Sequence, residues 1–488
     1  MSAATPTPEL VQPDLRDIAP NARYLSVSQI VRRLFRMAVL FVAARLLGVE
    51  AFGVYVVLLT VVEMVAIISG YGYMDFLTRE VAKRPGAGWP LASRMTLLRM
   101  FYALPSLGLA MLVLTVLRFP AGMVLNTALL AVTLVPRMIG ESAQGIMKGW
   151  RRFAPLAWIE LIQGVAVVAG AVILVEAGFG IRGVIIAEIL GAVVGAIVAA
   201  WCVRGGLQFS ASGAPDLRAL RRSTFAFNIY PFIVNVYDRV DVILLSKLAG
   251  SFAAGIYSVP YRAFATLQII PYGLMGALLP EFSAAGDKDK VREACSVTMR
   301  FLFIISLLMV LITLSFARPV ILFLLGQSYA GSVVTIEILV WASVPSFLNF
   351  ALNTLFLSSH NERVFVKTAA VCTVFNITAN LLLIPRFSFI AAAAVTVLTE
   401  CLLLAQNIYL TKKLMAHTVF PKDGARIAAL FLATLAAFWT MQHGVAQAFA
   451  GALASGVFAL GCGWMVRRPG SRTRSGQAID NLNGSLSS

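Results

Sequence analysis

Apolar residues in this chain come in runs of about twenty, the length at which a helix spans the hydrocarbon core of a bilayer. Fourteen such runs can be drawn, roughly over residues 25–46, 52–70, 98–117, 121–140, 156–176, 182–203, 223–248, 253–279, 299–325, 332–358, 364–385, 389–410, 426–442 and 445–466. The polar stretches between them are short, so no soluble domain is expected within the chain. The pattern predicts an all-α polytopic membrane protein of about 14 transmembrane helices.

The chain also repeats itself. Residues Phe225–Leu248 and Ala253–Leu279 read as two helices joined by the turn Gly250-Ser251-Phe252-Ala253-Ala254-Gly255-Ile256-Tyr257. An earlier turn, Gly48-Val49-Glu50-Ala51-Phe52-Gly53-Val54-Tyr55, echoes it. Each follows an apolar run that ends in a basic residue and leucine, Arg45-Leu46 and Lys247-Leu248. Six spans precede the second copy, which therefore starts again from the same side of the membrane. That is a parallel repeat, a layout in which a transported substrate binds between the halves near mid-depth. The expected organisation is an N-terminal tail over 1–24 and two pseudo-symmetric six-helix lobes over 25–221 and 222–411. An appended helix pair over 412–466 and a disordered tail over 467–488 complete it.

Composition agrees with this class: 59% of residues are hydrophobic and 13% charged. The net charge of +17 could suggest a nucleic-acid partner, but its distribution argues otherwise. With both termini placed in the cytoplasm, the cytoplasmic connections and tail carry twenty-five lysines and arginines. The external turns carry six, Arg45, Arg118, Arg182, Lys247, Arg318 and Arg386. This is the positive-inside asymmetry. It predicts a multi-pass protein of the inner (cytoplasmic) membrane with both termini inside, and no nucleic-acid partner. The first 24 residues lack an apolar segment leading to a small-residue cleavage site, so the first span is expected to serve as an uncleaved anchor. Five scattered cysteines and three dispersed histidines have no metal-ligand spacing, and no nucleotide loop or catalytic triad pattern is present. No cofactor is expected.

The candidate chemistry lies in ionisable and amide groups embedded in apolar runs, where they are costly and tend to face a bundle interior or a hydrated cavity. At about 100° per residue, Asn228, Asn235 and Arg239 fall within roughly 40° of one another. Asp238 lies beside that stripe and Asp241 nearly opposite it, close to a helix end. Arg262 follows on the next helix. In the first span Ser28, Gln29, Arg32 and Arg36 share a face about 100° wide. Arg32, Arg33 and Arg36 fit either a basic cavity wall or a set of side chains snorkelling to lipid phosphate. Arg239 fits a cavity wall or an ion pair with Asp238. Glu63, Asp75 and Asp238 are the candidates for coupling or gating. Weaker polar stripes comprise Arg137, Glu141 and Gln144, then Glu160 and Gln163, with Glu188, Glu337 and Glu400 isolated. Asn349/Asn353 and Asn376/Asn380, each four residues apart, are expected chiefly as hydrogen-bonding groups between helices. Arginine outweighs carboxylate at the working positions. That suits an anionic ligand, because guanidinium stays charged and grips phosphate with two parallel donors.

Short motifs follow in a definite order. They are Ala44-Arg45-Leu46-Leu47-Gly48, Phe52-Gly53-Val54-Tyr55, Gly70-Tyr71-Gly72 and Thr78-Arg79-Glu80-Val81-Ala82. Asp241 to Leu245 then leads to Ala254-Gly255-Ile256-Tyr257, with Arg262 and Pro280 after it, and Asn376-Ile377-Thr378-Ala379-Asn380 precedes Leu383-Ile384-Pro385. In this order and spacing the chain resembles the polysaccharide or oligosaccharide flippases of the Wzx type, whose superfamily includes MATE exporters and the lipid II flippase. One departure is Arg386-Phe387-Ser388-Phe389 after Pro385, where the family usually has glycines. The resemblance implies two six-helix lobes plus two helices, and translocation of a polyprenyl-pyrophosphate-linked oligosaccharide without nucleotide hydrolysis. It implies that Arg32, Arg36, Arg239 and Arg262, with Asn228 and Asn235, line the cavity for the pyrophosphate and glycan. The lipid-linked oligosaccharide, membrane lipids and other polysaccharide-assembly proteins are the implied partners. The alternatives are a MATE-like exporter of small amphipathic cations, a lipid II flippase, and a membrane glycosyltransferase or polymerase using Glu63, Glu160 or Asp238.

Overall fold

The structure, a computed structural model, describes the backbone of residues 15–70, 73–84, 86, 88–204, 217–271, 273–274, 288–358, 362–415, 423–441 and 447–467. Side chains are described within these ranges except at 15–26, 217–238, 288–292, 357–358, 362–366, 414–415, 439–441, 447–450 and 463–467. The described residues are helical almost throughout. In chain order the helices are α1 Leu15–Gly70, α2 Tyr73–Lys83, α3 Gly88–Val116, α4 Ala121–Ala131, α5 Leu134–Gly149, α6 Ala154–Leu174 and α7 Gly180–Val203. They continue with α8 Leu217–Leu267, α9 Lys288–Leu325, α10 Ala330–Leu339, α11 Ser343–Ser358, α12 Glu362–Met415, α13 Gly424–Met441 and α14 Gln447–Arg467. Among the described residues, 8 helical stretches are long and apolar enough to cross a membrane, and two shorter apolar helices follow.

Several stretches are broken rather than straight, and the breaks come in matching pairs. Within α1, Gly48 has φ 75° and ψ 169°. Within α8, Gly250 has φ 88° and ψ 166°. This region is essentially closed to residues with a Cβ, which explains why both echoing turns begin with glycine. The second pair is Gly180, at the start of α7, with φ 51° and ψ −131°, and Ser388, within α12, with φ 51° and ψ −134°. The chain bends at Ser388 although no glycine stands there. Pro385 just before it removes a backbone donor and weakens the helix at that point.

The chain divides into two compact units. One is built from residues 1–43 and 61–229, the other from 44–60 and 230–488. In the first unit, Tyr73, Leu77 and Val81 line one face of α2 at four-residue intervals and join a core with Met95 of α3, Ile146 of α5 and Ile159 of α6. Glycines on α5 admit the α2 side chains. A Cβ at Gly145 would lie 2.9 Å from Leu77 and one at Gly149 2.6 Å from Val81. The segment expected as a cytoplasmic loop before the third span is thus largely a packed amphipathic helix. The third helix starts at Gly88 rather than near residue 98, because its first turns bury Leu91, Ala92, Met95 and Thr96.

In the second unit, Met299 and Leu302 of α9 pack with Phe347 and Leu348 of α11. The C-terminal helices α13 and α14 close on α9 through Ile427, Phe431 and Phe458. The ring of Phe431 stands edge-on to those of Phe458 at 5.8 Å and Trp341 at 5.9 Å.

Candidate functional site

In the first unit the functional groups converge on Glu141. Arg137, Glu141, Gln144 and Lys148 recur at three- and four-residue intervals and so share one face of α5. From α3, Arg99 donates through Nη2 to Glu141 Oε2 at 2.6 Å, a short charge-assisted bond. Arg99 is 6% exposed. Its guanidinium lies over the Tyr73 ring, 4.6 Å from the centroid, and against Gly70 at the end of α1, where a side chain would collide with it. The Tyr73 hydroxyl lies 2.7 Å from Ser142 Oγ, which in turn lies 2.7 Å from Thr96 Oγ1. This hydroxyl chain fixes the ring that supports the guanidinium. From α1, Arg32 Nε meets Glu160 Oε1 of α6 at 3.2 Å. Arg32 and Arg137 act electrostatically on Glu141, and Arg32, Asp75, Glu160 and Glu141 act on Lys148, whose Nζ also reaches Met74 Sδ at 3.0 Å.

In the second unit a polar centre forms around Asp241, which is buried. Its carboxylate accepts hydrogen bonds from the Tyr257 hydroxyl and, at 2.8 Å, from the Val242 amide. The Tyr257 oxygen lies 3.1 Å from Thr396 Oγ1, and its ring stacks on Tyr261 at 5.5 Å. A second polar cluster joins α11 to α12. Asn349 Nδ2 donates to the Glu400 carbonyl and carboxylate, both at 3.1 Å, and Asn407 donates to Asn349 at 3.0 Å and Asn353 at 3.2 Å. Asn380 donates to Asn376 at 3.0 Å. The asparagine pairs are therefore hydrogen-bonding groups within and between helices.

Residues 18–286 match the family model described as polysaccharide biosynthesis protein. The chain belongs to this family of polysaccharide biosynthesis proteins. Residues 229–382 also match the MatE family model. Among curated proteins, the probable flippase AglR of Haloferax volcanii is 26% identical over 274 residues, covering 53% of this chain and 55% of that protein. The chain thus spans little more than half the length of that relative. The probable low-salt glycan biosynthesis flippase Agl15 of the same organism is 20% identical over 365 residues, covering 73% of this chain and 75% of that protein. Among solved structures, an inward-facing multidrug resistance MATE family transporter of the MOP superfamily is similar with a TM-score of 0.67 at 14% identity, covering 81% of this chain and 98% of that one. The lipid II flippase MurJ in an inward closed conformation has a TM-score of 0.59 at 12% identity, covering 89% and 97%. The fold is of the MATE and MurJ kind, and the chain is a multi-pass membrane protein.

In this polysaccharide biosynthesis protein the expected site residues separate by unit. Arg32 and Asp75 belong to the cluster around Glu141 and Lys148. Arg36 is exposed, Glu63 is buried, and Asp75 stands exposed in the first turn of α2. Arg239 and Arg262 are half-buried on α8, with Arg239 acting electrostatically on Asp241. Asn228, Asn235 and Asp238 lie outside the residues whose side chains are described. Two residues that are not among the sequence candidates, Arg99 and Lys148, stand inside the cluster. The missed signal for Arg99 was periodic. It continues the buried face of Ala92, Met95, Thr96 and Ala103 along α3.

Proposed function

We propose that the protein is a flippase that moves a polyprenyl-pyrophosphate-linked oligosaccharide across the cytoplasmic membrane for cell-surface polysaccharide biosynthesis. The observation that carries this reading is the set of arginines in apolar helices of a polysaccharide biosynthesis protein. Arg32, Arg99, Arg137, Arg239 and Arg262 all lie in stretches long and apolar enough to span a membrane. Such groups are kept at depth where they pair or serve a translocated ligand. A pyrophosphate needs bidentate donors that never lose their charge, which is the guanidinium's property. The names of the Haloferax relatives, flippase and glycan biosynthesis flippase, support the same substrate class.

In this reading Arg32, Arg36, Arg239 and Arg262 line a cavity and hold the pyrophosphate, and Asn228 and Asn235 serve the glycan hydroxyls. The lipid tail stays in the bilayer. Alternating access exposes the arginines to one face of the membrane and then the other, with Glu63, Asp75 and Asp238 available for coupling or gating. Counting each broken helix as two spans gives fourteen, grouped as two six-helix lobes and a final pair, with both termini inside. The protein is a transporter rather than an enzyme, and polysaccharide-assembly proteins are its expected partners.

The test is binding to purified protein in nanodiscs, comparing a polyprenyl-pyrophosphate oligosaccharide with a lipophilic cation. Preferential binding of the glycolipid, weakened by Arg239→Ala and Arg262→Ala, is the expected result. Cation binding indifferent to both arginines would overturn it. That outcome would favour the second reading, cation export, which the MatE match over residues 229–382 makes specific.

A further inference from the structure

Around Glu141 the first unit gathers four cations, Arg32, Arg99, Arg137 and Lys148, and two further carboxylates, Glu160 and Asp75. The cations are in excess, yet the donors of Arg99 are underused. Arg99 Nη2 bonds Glu141, while Nε and Nη1 are buried with no hydrogen-bond partner. Leaving guanidinium donors unmet away from water is unfavourable, so an acceptor in another state of the molecule is called for. A carboxylate that engages a single donor leaves room for a ligand with more oxygens.

The two ion pairs have the same layered form. Glu141 has 36% of its side-chain surface open, whereas its partner Arg99 has 8%. Arg32 has 35% open, whereas its partner Glu160 has 12%. In each pair the reachable group is held from behind by a buried opposite charge. Glu141 can therefore give way while Arg99 stays in place on Tyr73 and Gly70.

We infer that the first unit contains a phosphate-binding site formed by Arg99, Arg32 and Arg137, in which the Glu141 carboxylate occupies the ligand's place as an internal counter-ion. A phosphate group brings three tetrahedral oxygens and more charge than a carboxylate, enough to meet the open donors of Arg99 together with the second arginine. When the ligand leaves, Glu141 returns and offsets part of the positive charge of the empty site. The identity of the ligand as the headgroup of a lipid-linked substrate rests on the flippase reading.

Farnesyl pyrophosphate is a suitable probe, since it carries the pyrophosphate and a prenyl chain without a glycan. Its binding is measured on the full-length protein in nanodiscs of zwitterionic lipid. Glu141→Gln removes the competing charge and is expected to tighten binding by about tenfold. Adding Arg99→Met to Glu141→Gln should erase that gain. Unchanged or weaker binding by Glu141→Gln, in a variant that stays folded at the assay temperature, overturns the inference. If Arg262→Ala still weakens the probe in that case, the flippase reading survives alone. If the parent binds no farnesyl pyrophosphate, thermal unfolding with inorganic pyrophosphate decides. Stabilisation of Glu141→Gln above the parent keeps the phosphate site without the flippase reading, and equal response overturns both. Competition of the probe by phosphatidylglycerol in Glu141→Gln supports the site and identifies membrane lipid as a source of the phosphate.

Discussion

Gly53 and Gly255 stand at equivalent places in the two echoing turns, and each faces the other turn's backbone. A side chain at Gly53 would strike the Ser251 carbonyl oxygen, and one at Gly255 would strike the Val49 carbonyl oxygen. Replacing either with alanine forces two backbones apart, which costs about 1–3 kcal/mol. The expected outcome is a lower unfolding temperature in detergent for Gly53→Ala and for Gly255→Ala. Gly108→Ala on α3, where nothing lies within 4 Å, should be neutral or slightly stabilising.

Ser388 bears φ 51° and ψ −134°, a conformation natural to glycine and strained for serine. Ser388→Gly should therefore raise stability by about 1 kcal/mol, the relief of strain exceeding the flexibility added to the unfolded chain. Gly180→Ser at the matching break should lower it. Thermal unfolding of the two variants, measured side by side, checks both signs.

Arg99→Met strands Glu141 without its partner. The expected cost is about 2–3 kcal/mol, below the penalty for a fully buried pair because a third of the Glu141 side chain is open. Arg99→Met combined with Glu141→Gln should recover part of that loss. A double-mutant cycle on unfolding free energies should return a coupling of about 1–3 kcal/mol, and additive effects would show that the pair is not energetically linked.

Tyr257→Phe removes the hydroxyl that donates to buried Asp241, leaving the carboxylate with the Val242 amide. A loss of about 1–3 kcal/mol is expected. Asp241→Asn should cost less, since the amide oxygen still accepts from Tyr257. Equal stability of Tyr257→Phe and the parent would show that Asp241 finds another donor.

The helices and their principal breaks were legible because their causes are local. Apolar run length marks the helices, and Gly48 and Gly250 begin the two copied turns and hold matching backbone angles. At Arg386–Phe389 the sequence departs from the family's glycines, yet the chain bends at Ser388 in the geometry that Gly180 shows. Asn349 and Asn353 were legible as interhelical bonding groups, whereas their shared partner Asn407 was not, since it lies on another helix far along the chain.

The site was less legible, for a physical reason. Arg99 and Lys148 stand near the ends of apolar runs, where charge is cheap and a loop is the natural reading. Only tertiary packing of α2 on α5 shows that Arg99 is covered by Tyr73 and paired with Glu141. The helical pattern places Asp241 near a helix end and opposite the polar stripe, whereas the bend at Gly250 brings Tyr257 of the same helix back onto it.

The reciprocal meeting of Gly53 with Ser251 and of Gly255 with Val49 is the contact that a symmetric homodimer makes, where one surface must fit its own copy. A chain holding both copies is free of that demand. A substitution at one turn no longer appears twice, so valine can stand at one place and serine at its counterpart while both glycines stay. Compensating changes for this part of the molecule should be sought in the other copy, far away in sequence, rather than among a residue's immediate neighbours. In that respect the two turns have the evolutionary freedom of a heterodimer whose partners are inherited together.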